Sequence, residues 1–395
     1  MARSKGGCGC AIAVLVAFLG ALGYVGYKFV LPWWQKQPPP PSGKELRVHV
    51  LDVGQGDSIL IIGPEKVALI DAGDEKNGKK VVEALRLKGV QQIDYFIATH
   101  AHPDHIGGAA EVFGSFKVGT VLHNDFPPPE VAAANAPAAG KGDDKKQGKK
   151  QPAPAKPPAR QGKAVELPPV KAYNSFKGAV EQAGAKFEKA EPERKIDLGG
   201  GAIITVLAPI PPLFTREQIV ASRKGNESNA NSIVVRLDYG NFSMLLTGDA
   251  EEQTEERLVG KEAPLEATIL KVAHHGSKYA TSEAFLKRVF RADDPQSKAA
   301  IISMSEFNRY NHPNQDVLNR LKAAGVKQLY RTDLQGEITV TTTGQVKDGK
   351  LYEVKTARET KSDLWAGREG EKNDSSSSGF ITYGDYGPPP RQRKK

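Results

Sequence analysis

The chain has 395 residues, long enough for more than one average domain, and its 55 Lys and Arg against 46 Asp and Glu give a formal net charge of +9. That charge does not describe a basic groove: the excess lies in residues 1–44, 127–170 and 366–395, and what remains is slightly acidic. The only cysteines, Cys8 and Cys10, precede the first apolar run, which excludes a disulfide framework and thiolate metal ligands from the rest of the chain.

Ala11 to Leu31 is apolar apart from glycines, Tyr24, Tyr27 and Lys28, close to the ~20 residues that cross a bilayer as a helix. Trp33 and Trp34 follow where interfacial aromatics are favoured. Residues 1–36 therefore read as a short cytoplasmic stub and a single-pass transmembrane anchor, with a cleaved signal peptide as the alternative. Either way the bulk of the chain is expected outside the cytoplasm, at the cell membrane or secreted. Residues 37–44, with four consecutive prolines, form a stiff spacer.

Folded sequence is expected over residues 45–365. Leu46 to Leu51 alternates as a strand and leads into D-V-G-Q-G-D at Asp52 to Asp57; Ser58 to Ile62 and Val67 to Ile70 are further strands. Asp71 ends the last of these, where a carboxylate orients a metal ligand rather than binding the metal. His49 reads as strand packing. Lys79 to Leu87 has helical spacing with Gly89 as its stop, and Ile93 to Ala98 is a strand.

That strand delivers T-H-A-H-P-D-H-I-G-G, Thr99 to Gly108, where His100, His102, Asp104 and His105 fall within six residues. Three imidazoles and a carboxylate at this spacing suit a zinc-like divalent cation. A helix is expected to begin near Ile106. Gly119 to Leu122 is a short strand, and His123 after it is a weaker ligand candidate. Residues 127–169, rich in Ala, Pro, Gly, Lys and Gln, have too little apolar content to repay ordering and read as a disordered insertion.

The second block alternates strands (Ile203 to Leu207, Asn231 to Leu237, Phe242 to Leu246, Ile269 to Val272, Ala300 to Ser303, Gln328 to Tyr330, Glu337 to Thr343, Leu351 to Thr356) with helices near Ala250 to Val259, Ser282 to Phe290 and Asp316 to Ala324. Two such blocks imply an α/β (α+β) architecture of two facing sheets with helices outside. L-L-T-G-D places Asp249 after one strand, and K-V-A-H-H-G-S places His274 and His275 after another. If that segment is extended, only one of the two histidines meets a metal. N-R-Y-N-H-P adds His312, and Lys271, Lys278 and Arg309 lie close in sequence to these loops, as phosphate contacts or equally as exposed surface charges. Residues 366–395, with four serines and a final R-Q-R-K-K, read as a disordered basic tail.

The H-x-H-x-D-H motif followed by Gly-Asp and a later His resembles the metallo-β-lactamase-fold hydrolases. With D-V-G-Q-G-D, Asn231-Ser232, K-V-x-H-H-G-S and N-R-Y-x-H-P in order, it is similar to the hydrolase domain of the DNA-uptake competence protein ComEC over about Leu46 to Thr343. The resemblance implies a four-layer αββα sandwich. It also implies two divalent metals, zinc first and manganese next: His100 and His102 on one, Asp104, His105 and His275 on the other, Asp249 between them. His274 then becomes a neighbouring or substrate-contacting group, with the reverse assignment of His274 and His275 left open. One departure stands out, because many members supply a further histidine shortly before Gly-Asp, whereas this region holds Asn226, Asn229 and Asn231.

The expected activity is a membrane-anchored, extracytoplasmic phosphodiesterase or nuclease acting on DNA. Hydroxide bridging the metals is the nucleophile, Asp104 and Asp249 position it, and His274 or His312 protonates the leaving group. A hydrolase of another ester, such as a cell-surface phosphocholine ester or a lactone, is the alternative enzyme. A non-catalytic binding or scaffold module is the alternative class, and the intact H-A-H-P-D-H and T-G-D argue against it. No feature points to a protein partner.

Overall fold

The strand-forming runs sort into two sheets: the second is one continuous stretch of the chain, whereas the first joins the earliest strands to the last two. The computed structural model describes residues 44–128, 168–222, 226–290, 298–306, 308 and 310–368, with isolated positions Tyr24, Lys28 and Val131. The strands are β1 (Leu46–Val50), β2 (Ile59–Ile62), β3 (Val67–Ile70), β4 (Gln92–Ala98), β5 (Lys117–His123), β6 (Lys186–Lys189), β7 (Lys195–Asp197) and β8 (Ala202–Ala208). They continue with β9 (Val234–Tyr239), β10 (Phe242–Leu246), β11 (Ile269–Lys271), β12 (Ala299–Ile302), β13 (Gln328–Arg331), β14 (Ile338–Lys347) and β15 (Lys350–Thr356). One sheet runs β15-β14-β1-β2-β3-β4-β5-β6 and the other β13-β12-β11-β10-β9-β8-β7. The C-terminal hairpin thus returns to the first sheet, where β14 pairs antiparallel with β1.

Alternation dictates which faces meet. Leu46, Val48 and Val50 of β1 point between the sheets, against Ile204, Leu237, Met244 and Ile269 of the second. The opposite face of the first sheet, with Leu60, Leu69, Phe96 and Val121, is covered by α1 (Gly78–Leu87), α2 (Pro103–Ile106), α3 (Ala109–Ser115) and α4 (Pro168–Ala183). The short α5 (Glu227–Ala230) sits in the approach to β9. Beyond it, α6 (Glu252–Gly260), α7 (Glu283–Val289) and α8 (Gln315–Ala323) cover Leu245, Leu270 and Ala300 of the second sheet. The result is the expected αββα sandwich. Both sheets contain parallel runs, β3-β4-β5-β6 in one and β10-β11-β12-β13 in the other.

Several expectations are corrected. β6 and β7 were not foreseen, because four and three mostly charged residues carry little periodic signal. Asn231 does not open a strand: it follows α5, and β9 starts at Val234. The helix after H-A-H begins at Pro103, where a fixed φ suits the first turn, rather than near Ile106. α4 begins at Pro168, just inside the segment expected to be an insertion; its Phe176 packs 6.2 Å from both Phe96 and Phe113, so the chain returns to the same outer layer it left. Past residue 365, the start of the expected tail is held to the domain: the Arg368 guanidinium bonds Asp333, and Arg331 donates to the Ala366 carbonyl at 2.6 Å. His49 is buried and shares its Nδ1 with Glu337 and Thr339, each 3.0 Å away, as strand packing requires.

Among the described residues no helix is long and apolar enough to cross a membrane. The expected anchor (apart from Tyr24 and Lys28), Trp33, Trp34, the Pro-rich spacer before Lys44, nearly all of the insertion and the tail beyond Arg368 lie outside the described residues.

Phe96 is fully buried and meets Phe113 edge-to-face at 4.9 Å, at the junction of β4 with its covering helices. Phe96→Ala is expected to destabilise the domain by about 3–5 kcal/mol; denaturant unfolding followed by circular dichroism will show a smaller loss if the site collapses freely.

Candidate metal centre

The parallel runs of the two sheets end side by side, and their carboxyl-terminal loops carry the polar residues. β4 leads into Thr99 to His105, β10 into Asp249, β11 into His274 and His275, and β12 into Ser303. The D-V-G-Q-G-D loop closes over this edge. Gly56 has φ +107°, and a Cβ there would lie 1.9 Å from the Asp104 carbonyl oxygen, so only glycine permits the loop to rest on the metal-loop backbone. Ala72 N donates to His105 O at 2.7 Å and Gly73 N to Asp57 O at 2.8 Å, which ties three loops together.

Asp249 lies at the centre, 2% exposed. Its Oδ2 is 3.3 Å from His105 Nε2 and 3.8 Å from both His100 Nε2 and His274 Nε2; its Oδ1 is 3.5 Å from His275 Nε2. His275 Nε2 is also 3.9 Å from Asp104 Oδ2, and His100 Nε2 is 2.9 Å from His102 Nδ1. His100, His105 and Asp249 bring three donor atoms within reach of one ion, as do Asp104, His105 and His275.

These groups fit divalent metals on a direct test. His105 Nε2, His275 Nε2, Asp104 Oδ1 and Asp249 Oδ1 are buried without a hydrogen-bond partner, a costly state that a cation relieves. The donors are imidazole nitrogens and carboxylate oxygens, a set suited to zinc, manganese or iron.

Supporting groups aim the imidazoles. Asp71 Oδ2 bonds His105 Nδ1 at 2.7 Å while accepting from Thr99 Oγ1 at 2.6 Å, the orienting role expected of it. Ser303 O holds His275 Nδ1 at 2.8 Å. Asp57 accepts from the Ser303 hydroxyl and pairs with Lys271 at 3.0 Å. Glu251, 1% exposed, lies 3.4 Å from His274 Nδ1. Asp57, Ser303 and Glu251 were not assigned from sequence, although Asp57 belongs to D-V-G-Q-G-D and Glu251 lies two residues after T-G-D.

Electrostatics divide the cluster. Burial opposes the charged form of His105, yet Asp249 and Asp71 together hold its pKa well above the usual imidazole value. Burial opposes the ionised form of Asp249 too, and the surrounding His275, His105 and His274 hold its pKa well below the usual value. Burial, reinforced by His105 and its neighbour His102, pushes His100 well below, and burial takes His102 down to about 4 despite Asp104. Burial and the adjacent His274 and His275 keep His312 well below as well.

The remaining candidates are placed less centrally. His312 stands at the rim, with ring centroids 5.5 Å from His274 and 5.7 Å from Tyr310. His123 does not join the cluster's metal groups; it stacks on Phe187 at 3.8 Å. Lys271 is not a phosphate contact, because it is fully buried against Asp57. Lys278 is exposed, and Arg309 lies outside the described residues. The premise that His274 and His275 alternate is also corrected: 273–276 is a tight turn in which both have left-handed backbone angles (φ 48° and 53°), so both side chains face Asp249.

Residues 51–204 match the family profile of the Metallo-beta-lactamase superfamily. ComE operon protein 3 of Bacillus subtilis is 29% identical over 317 residues, 76% of this chain and 33% of that protein. Competence protein ComA of Neisseria gonorrhoeae is 26% identical over 328 residues, 82% of this chain and 35% of that protein. The chain thus spans about a third of the length of these relatives. Among solved structures, the metallo-beta-lactamase fold protein YhfI from Bacillus subtilis aligns with a TM-score of 0.37 at 11% identity, covering 72% of this chain and 96% of that one.

Two outcomes follow for metal binding. Asp71→Asn is expected to weaken divalent-metal affinity about 10- to 100-fold by freeing the His105 ring, read by chelator competition. Because Asp249 and Asp71 favour the protonated form of His105 in the metal-free site, loading is expected to expel a proton, so affinity falls as pH is lowered. Calorimetry in buffers of different ionisation enthalpy will show this as a buffer-dependent heat; identical heats in all buffers contradict it.

Proposed function

We propose, for a chain that carries a metallo-β-lactamase superfamily domain and resembles the ComEC hydrolase domain, that it is a dinuclear metal-dependent phosphodiesterase acting on DNA. The observation that carries the hydrolytic reading is the set of buried donor atoms on Asp104, His105, His275 and Asp249 that lack a hydrogen bond, gathered at the meeting edge of two sheets. The names of the relatives, competence and recombination proteins, favour DNA among phosphodiesters. Location outside the cytoplasm, anchored through Ala11 to Leu31, is part of the same proposal.

His100, His102, Asp104, His105, Asp249 and His275 are the residues that would hold the two ions. When bound, such a pair acidifies a water and polarises the phosphoryl oxygen. The chain's own residues do the rest. Asp104, partly exposed at the open side of the cluster, accepts a hydrogen bond from the attacking water and fixes its direction. Asp71 and Ser303 keep the His105 and His275 rings from turning. His312, whose pKa burial holds well below the usual imidazole value, accepts the proton that the attacking water gives up and hands it to the leaving oxygen. Asn308 clamps the His312 backbone from both sides, at 2.9 and 2.8 Å, which holds the ring at the rim.

The test is the purified chain reconstituted with zinc or manganese and offered single-stranded DNA, double-stranded DNA and a small chromogenic phosphodiester. Cleavage of DNA that is lost on chelation, and that falls at least ~100-fold in Asp249→Asn, is the expected result. Turnover of the small diester with DNA left intact would replace the nuclease reading with that of a small-ester hydrolase.

A further inference from the structure

We infer that His274 is a metal ligand and takes the place of the histidine that the sequence lacks before Gly-Asp, so that the consecutive pair His274-His275 serves both metal positions. This rests on the metal-centre reading above and extends it.

The three asparagines in the region where the missing histidine would sit are differently employed. Asn226 caps α5 by accepting from Asn229 N at 2.9 Å. Asn231 is consumed by the backbone: its amide donates to Phe214 O at 2.9 Å and Glu227 O at 2.8 Å while its Oδ1 accepts from Phe214 N at 2.9 Å. Asn229 alone faces the site, and it does so through His274, its Nδ2 being 3.2 Å from His274 Nε2. The first position therefore has His100 and Asp249, with His102 2.9 Å from His100, and a side chain reaching in from the second sheet.

Three observations make that side chain a ligand. The first is reach: His274 Nε2 and His100 Nε2 are equidistant, at 3.8 Å, from the same Asp249 oxygen, whereas His275 Nε2 faces the other oxygen. The two oxygens of Asp249 thus face different members of the consecutive pair, with His105 Nε2 also 3.3 Å from the oxygen nearer His274. The second is orientation. A ligating imidazole normally has its second nitrogen held by a carboxylate or carbonyl. His105 has Asp71, His275 has the Ser303 carbonyl, and His274 has Glu251, whose Oε1 lies 3.4 Å from Nδ1 while its Oε2 accepts from Asn226 N at 3.0 Å. With Nδ1 beside that buried carboxylate, Nε2 lies between Asn229 Nδ2 at 3.2 Å and Asp249 Oδ2 at 3.8 Å, and a bound ion would take the place of the Asn229 contact. The third is backbone cost. Two adjacent non-glycine residues in the left-handed region are unfavourable, and an extended segment would have turned one ring away. The turn delivers both rings to one carboxylate, which a single-ligand site does not require. Glu251 is then a positioning residue acting through His274.

Metal uptake by the full chain decides the point. The apo-protein is titrated with zinc against a chromophoric chelator, and with cobalt followed by visible absorption. The wild-type chain is expected to bind two equivalents. His274→Ala is expected to keep one at wild-type affinity and to weaken the other at least ~100-fold, beyond the 10- to 100-fold typical of outer groups. Glu251→Gln should weaken that same equivalent by about 10- to 100-fold, and His312→Ala should change neither. Circular dichroism shows whether each variant is folded; if His274→Ala is not, Glu251→Gln carries the test. Two ions held with wild-type affinity by folded His274→Ala, or by Glu251→Gln where only it folds, overturn the inference alone. A wild-type chain that binds no ion overturns the metal-centre reading with it.

Discussion

The structure depends on one buried carboxylate. Asp249 is nearly inaccessible to water, and a lone charge in such a place is strongly unfavourable unless partners surround it. Here the partners are imidazoles from two different sheets: His100 and His105 from the loop after β4, His274 and His275 from the loop after β11. The polar centre therefore fastens the sandwich at the edge where the apolar interior between the sheets ends.

Around that centre stands a ring of buried acids, each with a mechanical task. Asp71 fixes His105 and the Thr99 backbone, Asp57 joins Lys271 to Ser303, and Glu251 ties α5 to His274. The Asp57–Lys271 pair is the most demanding, because removing either partner from a buried ion pair typically costs about 3–5 kcal/mol. Such groups hold the donors rigid before any ion arrives, which is the arrangement that keeps a catalytic geometry precise.

Much of this was legible beforehand, for physical reasons that differ by element. β1, β4 and β10 announce themselves because an alternating or continuous apolar run has few other ways to fold, and α1 because Val81, Val82 and Leu85 recur at helical spacing. β6 and β7 were invisible: Lys186 to Lys189 and Lys195 to Asp197 are edge strands, where charge is tolerated and periodicity is short. Lys271 was misjudged because burial of a lysine depends on Asp57, 214 residues away in the chain. The two adjacent histidines were misjudged because an extended backbone was assumed where the chain makes a left-handed turn.

The sequence by itself determined the donors and their local spacing: His100, His102, Asp104 and His105 are held together by covalent neighbourhood, and Gly56 by the absence of a side chain. Those properties are local, so pattern alone carries them. Only the tertiary structure decided that β14 and β15 return to the first sheet, that Asp57 and Glu251 stand behind the histidines, and that His274 and His275 both face Asp249. Each of these follows from contacts between segments far apart in the chain, where packing between the sheets sets the geometry and no local period records it.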